Sequence, residues 1–325
     1  MVYNKMTRRE MLRLSGMTIA AGGLTNILSC TPKTNDPGEK PNKEHKRPFR
    51  ISLNTSTIRG YKLPVEEQID LCGKTGFEGI ELWVSDVEAY MKQGGTPEDL
   101  AKQMKSHGLL LENMIAFSTW AADDPHLRDE GVRKMRQDME LTAKLGGKYI
   151  AAPVQGIQSI EKEKIEEYAS RYRQILLTSD EASVTPIMEL WGAGALNQLS
   201  DAASIAIATA HPKATMLLDF YHLYRGGNSF ESLRLINGAA LPVFHINDYP
   251  AEPVRTELKD ADRVFPGDGI CPFNEVLPIL YHSGFRGGLS VELFNQNYWD
   301  TMDVETVLQQ SFDKTLQVIR SAILE

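Results

Sequence analysis

The chain has 325 residues, of which 42% are hydrophobic, and its formal net charge at pH 7 is −8. This length allows one large α/β domain or two small ones, and the apolar content is sufficient for a sizeable core. The acidic balance argues against a nucleic-acid partner, because proteins that bind nucleic acids usually present a basic face.

Residues 1–29 predict an export signal. The stretch "TRREMLR" places paired arginines ahead of a short apolar segment, which ends in "ILSC" at Cys30. That segment is too short and too rich in glycine to span a bilayer permanently. The pattern resembles a twin-arginine signal joined to a bacterial lipoprotein cleavage site. The resemblance implies export, cleavage before Cys30 and diacylation of Cys30. An ordinary basic N-terminus is the alternative interpretation.

Residues 30–48 predict a flexible tether. The run "TPKTNDPGEKPNKEHKRP" after Cys30 is rich in proline, lysine and asparagine and has almost no apolar residues, so it cannot bury a core. Lipid and tether together predict a domain that faces the periplasm and touches the membrane only through its anchor. The two remaining cysteines, Cys72 and Cys271, are interpreted as free thiols.

From residue 49 to residue 325, short aliphatic runs alternate with longer amphipathic segments. The eight predicted strands cover residues 50–54, 79–84, 109–116, 148–153, 185–190, 215–220, 243–248 and 289–294. The eight predicted helices cover residues 64–76, 96–108, 126–147, 162–180, 199–210, 229–238, 273–284 and 304–324. Such repeated strand–helix units predict a (β/α)8 TIM barrel. An open doubly wound sheet is the alternative, but it favours a glycine-rich phosphate turn that "NTSTIRG" does not supply.

Four consecutive predicted strands end in residue types that bind metals. These residues are Glu189, Asp219, His245 and Glu292. TIM-barrel active sites lie at the C-terminal ends of the strands, and three carboxylates converging there would repel one another without a cation. Each residue alone could instead cap a helix, pair with an arginine or belong to the core. Together they favour a divalent metal, Mn²⁺ or Mg²⁺, with Co²⁺ and Zn²⁺ as further candidates.

These residues, with His222 three positions after Asp219, resemble the xylose isomerase-like sugar isomerase and epimerase superfamily. "GFEGIELW" at residues 76–83 is similar to the second strand of that family, and residues 262–293 are similar to its Arg-x-x-Pro-Gly-x-Gly loop, seventh helix and last strand. The resemblance implies that the four strand-end residues bind the metal and that Glu189 and Glu292 also act as acid and base. It further implies that His222 and Arg263 bind substrate.

One departure from the family concerns the loop before Arg263. Residues 246–262 are longer than the family loop, so Arg255 competes with Arg263 for the substrate role, and the loop is a candidate lid or specificity element.

Weaker candidates for substrate contact are Glu81, Gln155 and Trp120. Each could instead make a structural hydrogen bond or pack at the rim, as could two further tryptophans near strand ends, Trp83 and Trp191.

The implied reaction is metal-dependent isomerisation or epimerisation of a sugar or related hydroxy-ketone through an enediolate, with Glu189 and Glu292 as acid and base. The first alternative is a lyase that acts on 3-keto-glycosides by proton abstraction and elimination. Predicted export favours it, because most ketoses and sugar phosphates lie in the cytoplasm. The second is a non-catalytic sugar-binding lipoprotein, which would not need two opposed carboxylates. A DNA-repair endonuclease on this barrel would need more histidines. Formation of a homo-oligomer stays open.

Overall fold

The computed structural model describes residues 47–324. The predicted leader, the anchor residue Cys30 and nearly all of the predicted tether lie outside the described residues, so they stay predictions. Among the helices of the described region, none is long and apolar enough to cross a membrane.

Eight parallel strands close into a barrel in chain order, with the first strand paired to the last. They are β1 (Arg50–Asn54), β2 (Gly79–Trp83), β3 (Leu110–Ile115), β4 (Tyr149–Pro153), β5 (Thr185–Glu189), β6 (Met216–Asp219), β7 (Val243–Ile246) and β8 (Gly288–Val291). The TIM-barrel prediction is confirmed. Both faces of these strands are covered, one by the barrel interior and one by helices, which is why they are almost uniformly apolar in sequence.

Helices surround the barrel. They are α1 (Val65–Thr75), α2 (Val84–Lys92), α3 (Pro97–His107), α4 (Pro125–Lys144), α5 (Ile165–Ala182), α6 (Leu199–Ala208), α7 (Phe220–Gly226), α8 (Phe273–His282), α9 (Gln296–Thr301) and α10 (Val304–Ile319). The sequence did not predict α2, α7 and α9, because each is too short for a clear helical period, and α2 and α7 also begin directly at the end of a strand. The helix predicted at 229–238 is a 3₁₀ turn, Phe230–Leu235.

A buried ion pair closes the N-terminal end of the barrel. Glu112 of β3 is 3% exposed and accepts hydrogen bonds from Arg50 at both carboxylate oxygens, each 2.8 Å long. Ser52 Oγ donates a further bond of 2.9 Å. Gly79 and Gly288 make room for this group, because a Cβ at either position would lie 2.6 Å from Glu112. The interior of the barrel therefore holds one charged group at this end, far from the strand ends that carry the predicted site.

Replacing Arg50 with Met should lower the free energy of unfolding by about 3 kcal/mol, because the buried Glu112 carboxylate would lose its charged partner. Urea unfolding followed by circular dichroism measures this change. The matched control is Arg136→Met, since Arg136 pairs with Glu140 and Glu181 at the surface and its side chain is 55% exposed. That variant should lose less than about 1 kcal/mol. Equal losses in the two variants would contradict a structural role for the Arg50–Glu112 pair.

Candidate active site and metal centre

Three of the four predicted metal ligands come together at the C-terminal end of the barrel. Asp219 ends β6, His245 lies in β7 and Glu292 follows β8 directly. One ligand atom from each lies within 4.8 Å of those of the other two, and all three residues are buried. Asp219 and His245 are register partners in adjacent strands. We call Asp219, His245 and Glu292 the metal triad.

The fourth predicted ligand, Glu189, faces the same cavity from the end of β5 but does not belong to this close set. The side chain of Trp191 interacts with its carboxylate and lowers its pKa. Burial raises the pKa of Glu189 to about 8, and the nearby charge of Glu292 adds to that shift while His245 opposes it. The structure thus leaves Glu189 beside the metal triad, within electrostatic reach of it.

The imidazole of His245 is held between two carboxylates. Its Nε2 lies 2.9 Å from Glu81 Oε2, and its Nδ1 lies 3.1 Å from Glu292 Oε2 and 3.8 Å from Asp219 Oδ2. Neither ring nitrogen makes a hydrogen bond of good geometry, and Nδ1 is the one that lies near both Glu292 and Asp219. A buried ring nitrogen directed between two carboxylates is the arrangement of a divalent-metal site, so the residues present fit such an ion.

Glu81 supports His245 and does not contact the cavity. It is 0% exposed, and its second oxygen accepts a 2.9 Å hydrogen bond from Asn113 Nδ2. This corrects the prediction that Glu81 touches substrate, because both carboxylate oxygens face buried protein groups. Its position beyond His245 instead fixes the ring orientation, as carboxylates behind metal-binding histidines commonly do.

The two carboxylate oxygens of Asp219 have different hydrogen-bond donors, one at the start of α7 and one in the segment after β7. Oδ1 accepts the backbone N–H of His222 at 2.8 Å and thereby caps α7, so His222 lies in the first turn of that helix. Oδ2 accepts a 2.7 Å hydrogen bond from Asn247 Nδ2. Asn247 is 0% exposed and also accepts the backbone N–H of Tyr221.

Two asparagines that the sequence did not single out orient the acids of the metal triad. Asn247 binds Asp219, and Asn54 at the end of β1 donates a 3.0 Å hydrogen bond to Glu292 Oε1. In the sequence, only their position could have identified these two asparagines, since each ends or follows an apolar strand at the same rim. An asparagine alone does not indicate a site, and the acid that each one binds lies on another strand.

Arg263 is the arginine that enters the site. It is 1% exposed, donates to Glu292 Oε2 at 2.7 Å, and lies between the rings of Tyr221 and Phe294 at 4.4 and 5.1 Å from their centroids. Arg255 is exposed and does not line the cavity. The structure therefore favours Arg263 for the role that the sequence left open between the two.

His222 is neutral, and its tautomer follows from its neighbour. Its Nε2 lies 3.1 Å from Arg263 Nη2, and because arginine only donates, Nε2 must accept and the ring proton lies on Nδ1. Burial and the charge of Arg263 hold the pKa of His222 well below its usual range. The buried Nδ1 has no partner within the described residues. His222 is therefore a hydrogen-bond donor beside the metal triad.

The loop that delivers Arg263 is folded around one buried carboxylate. Asp248 accepts backbone N–H groups from Tyr249, Gly267, Gly269 and Cys271 at 2.8 to 3.0 Å. These bonds use the glycine-containing segment that the sequence matched to the family loop. The segment is thereby fixed against β7, and Arg263 at its start points inward.

A cavity of about 530 Å³ opens above the metal triad. Its lining residues are Trp83, Ile115, Phe117, Glu189, Trp191, Ala193, Gly194, Tyr221, His222, Arg225, Leu258, Lys259, Asp260, Arg263, Glu292 and Phe294. The long loop before Arg263 contributes three of them, which agrees with its interpretation as a specificity element. This size suits a small-molecule ligand.

Two weaker sequence candidates do not line the cavity. Trp120 is 1% exposed, and its indole N–H donates to the carbonyl of Pro153 at 3.0 Å, so it packs under the rim. This corrects its prediction as a substrate contact. Gln155 is half-buried in the segment after β4 and is likewise absent from the lining.

Comparison with known proteins identifies the family and supports the barrel fold. A family model described as a xylose isomerase-like TIM barrel matches residues 69–320. The inosose isomerase of Bacillus velezensis is 28% identical over 251 residues, which cover 75% of this chain and 88% of that protein. The crystal structure of the IolI protein with a bound zinc atom superposes with a TM-score of 0.78 at 24% identity, covering 85% of this chain and 100% of that one. An L-ribulose 3-epimerase superposes with a TM-score of 0.67 at 17% identity, covering 84% and 95%.

Calorimetric titration of the metal-free protein with MnCl₂ or ZnCl₂ should show one binding site. His245→Gln should weaken that binding by more than about 100-fold, because the ring nitrogen between the two acids is lost. The control is His282→Gln, an exposed histidine at the end of α8. Unchanged affinity in the His245 variant would show that the ion binds elsewhere.

Proposed function

The chain belongs to the xylose isomerase-like TIM-barrel family and is a sugar isomerase/epimerase-like enzyme, and from that premise we propose that it is a metal-dependent isomerase or epimerase of a sugar or cyclic polyol ketone. The observation that carries the proposal is a cavity lined by Glu189, His222, Arg263 and Glu292, with Asp219 and His245 buried close to Glu292. A binding protein would not need acids on two sides of its ligand.

The metal triad, with Glu189 beside it, would hold the ion. A bound divalent cation supplies Lewis acidity, which polarises a carbonyl and acidifies the neighbouring C–H bond. The oxygen-rich donor set suits Mn²⁺ or Mg²⁺, and the zinc in the IolI crystal structure keeps Zn²⁺ among the candidates together with Co²⁺.

Glu189 and Glu292 supply the proton transfers in this proposal. They approach the cavity from β5 and β8, which are three strands apart in the barrel, so a ketone between them would meet a carboxyl group on either side. One carboxylate takes a proton from the carbon beside the carbonyl. Its return to the neighbouring carbon is isomerisation, and delivery to the opposite face of the same carbon by the other carboxyl group is epimerisation.

His222 and Arg263 orient the substrate. The Nδ1–H of neutral His222 is a free donor for a substrate oxygen, and it stabilises negative charge that develops there. Arg263 fixes both the His222 tautomer and one oxygen of Glu292, so a single guanidinium positions a donor and a base. Inososes are the first substrates to test, because the curated relatives are inosose isomerases.

When the metal-loaded enzyme is incubated with an inosose in D₂O, a proton beside the carbonyl should exchange for deuterium. NMR measures the rate of this exchange. Glu292→Gln should reduce the exchange rate by about 10²–10⁴-fold, because the amide cannot take the proton. Glu189→Gln should cause a comparable loss. Glu305→Gln in the first turn of α10 is the matched control and should exchange at the normal rate. Undiminished exchange in Glu292→Gln would exclude the two-glutamate mechanism.

We also propose that the enzyme is an exported lipoprotein that faces the periplasm. The support is the sequence pattern of residues 1–30, with paired arginines, a short apolar run and Cys30.

Expression of the full chain in a Gram-negative host with labelled palmitate should label the protein. Cys30→Ser should abolish the label and release the protein from the membrane fraction. Cys72→Ser is the control, because Cys72 is buried in α1 and should not affect lipidation. Label that persists in Cys30→Ser would contradict the proposed anchor.

A further inference from the structure

One side of the cavity is built from four aromatic side chains, which we call the aromatic wall. Its members are Trp83, Phe117, Trp191 and Phe294. The centroids of neighbouring rings lie 5.2, 6.1 and 6.4 Å apart, in the pairs Trp83–Phe117, Phe117–Trp191 and Trp83–Phe294. The wall continues from the site's polar floor towards the mouth of the cavity, where Phe117 is 45% exposed.

The aromatic wall presents mainly carbon to the cavity. The indole N–H of Trp83 already donates to Asn54 Oδ1 at 3.2 Å, and the side chain of Trp191 interacts with Glu189 and lowers its pKa. The two phenylalanines have no polar side-chain atoms. A hydroxyl group placed against this wall would lose hydrogen bonds to water without replacement, which is unfavourable.

The rings of the wall are tilted with respect to one another, so their faces are not used up by mutual stacking. The interplanar angles are 48° for Trp83–Phe117, 54° for Phe117–Trp191 and 73° for Trp83–Phe294. Arg59 packs over Trp83 at 4.0 Å from the ring centroid and holds that ring in place. Arg263 likewise lies over Phe294, at 5.1 Å from its centroid, so a planar group would meet mainly the remaining edges and faces, above all those of Phe117 and Trp191.

The rest of the cavity holds its charged and hydrogen-bonding side chains, together with the apolar residues Ile115, Ala193 and Leu258. Glu189, His222, Arg263 and Glu292 form its floor, and Lys259 and Asp260 of the long loop line it as well. A ligand that matches this division has a polyhydroxylated part and an apolar planar part in one molecule. A free ketose has only the first.

We propose that the aromatic wall is a subsite for a planar apolar group joined to the substrate sugar, so that the enzyme accepts glycosides of keto sugars whose aglycone is an aryl group. The inference deepens the proposed function and rests on it for the sugar part alone. Phe117 is the specificity-determining residue of this subsite, since it is exposed at the mouth and contacts Trp83 and Trp191.

The test compares two unreactive probes on the metal-loaded protein, 4-nitrophenyl β-D-glucopyranoside and methyl β-D-glucopyranoside, by calorimetry. The aryl glycoside should bind more tightly by about two- to tenfold or more. Phe117→Ala should remove most of that preference and leave the affinity for the methyl glycoside unchanged. The matched control is Leu110→Ala, because Leu110 lies at the other end of the same strand region and is 46% exposed, like Phe117.

Equal affinity for the two probes, no measurable binding of the aryl probe at millimolar concentration, or a preference that survives Phe117→Ala would each overturn the proposal. The first of these results would indicate that the wall stacks on the C–H face of a sugar ring. Because binding needs no turnover, the outcome is independent of the D₂O exchange experiment. Failure of exchange with a retained aryl preference would overturn the catalytic proposal and leave the subsite standing.

Discussion

The burial of several carboxylates at the rim of an apolar barrel is the constraint on which the rest of the site depends. A buried charge is costly unless it is paired and hydrogen-bonded, so each acid must be given partners from other parts of the chain. Glu292 accepts hydrogen bonds from Asn54 and Arg263. Asp219 accepts them from Asn247 and from a backbone N–H in the first turn of α7. Burial raises the pKa of Glu292, but the charges of His245 and Arg263 outweigh it and hold that pKa well below its usual range.

The same constraint explains the surroundings of the site. Arg263 must be inside to neutralise the acids, and its loop is held in place by the four backbone hydrogen bonds to Asp248. At the opposite end of the barrel, the buried carboxylate of Glu112 is paired with Arg50.

In the proposed function, the catalytic floor and the aromatic wall of the cavity would together select the substrate. Its floor combines acids, a neutral histidine donor and an arginine, which is what proton transfer beside a carbonyl needs. Its aromatic wall offers few hydrogen bonds, since the indole N–H of Trp83 already donates to Asn54. In the proposed reaction, a substrate would be held by polar contacts where it reacts and by apolar contacts against the wall. The long loop before Arg263 lines another part of the cavity with Leu258, Lys259 and Asp260.

The sequence by itself determined the barrel and the positions of the strand-end acids, because alternating apolar runs and helices are local patterns. It did not determine which side chains meet. Asn54 and Glu292 are 238 residues apart and touch only because β1 closes against β8. The burial of Glu81 behind His245, and the choice of Arg263 over Arg255, depend on side-chain directions across neighbouring strands and on loop folding. Those follow from barrel closure, a property of the whole chain that no short segment encodes.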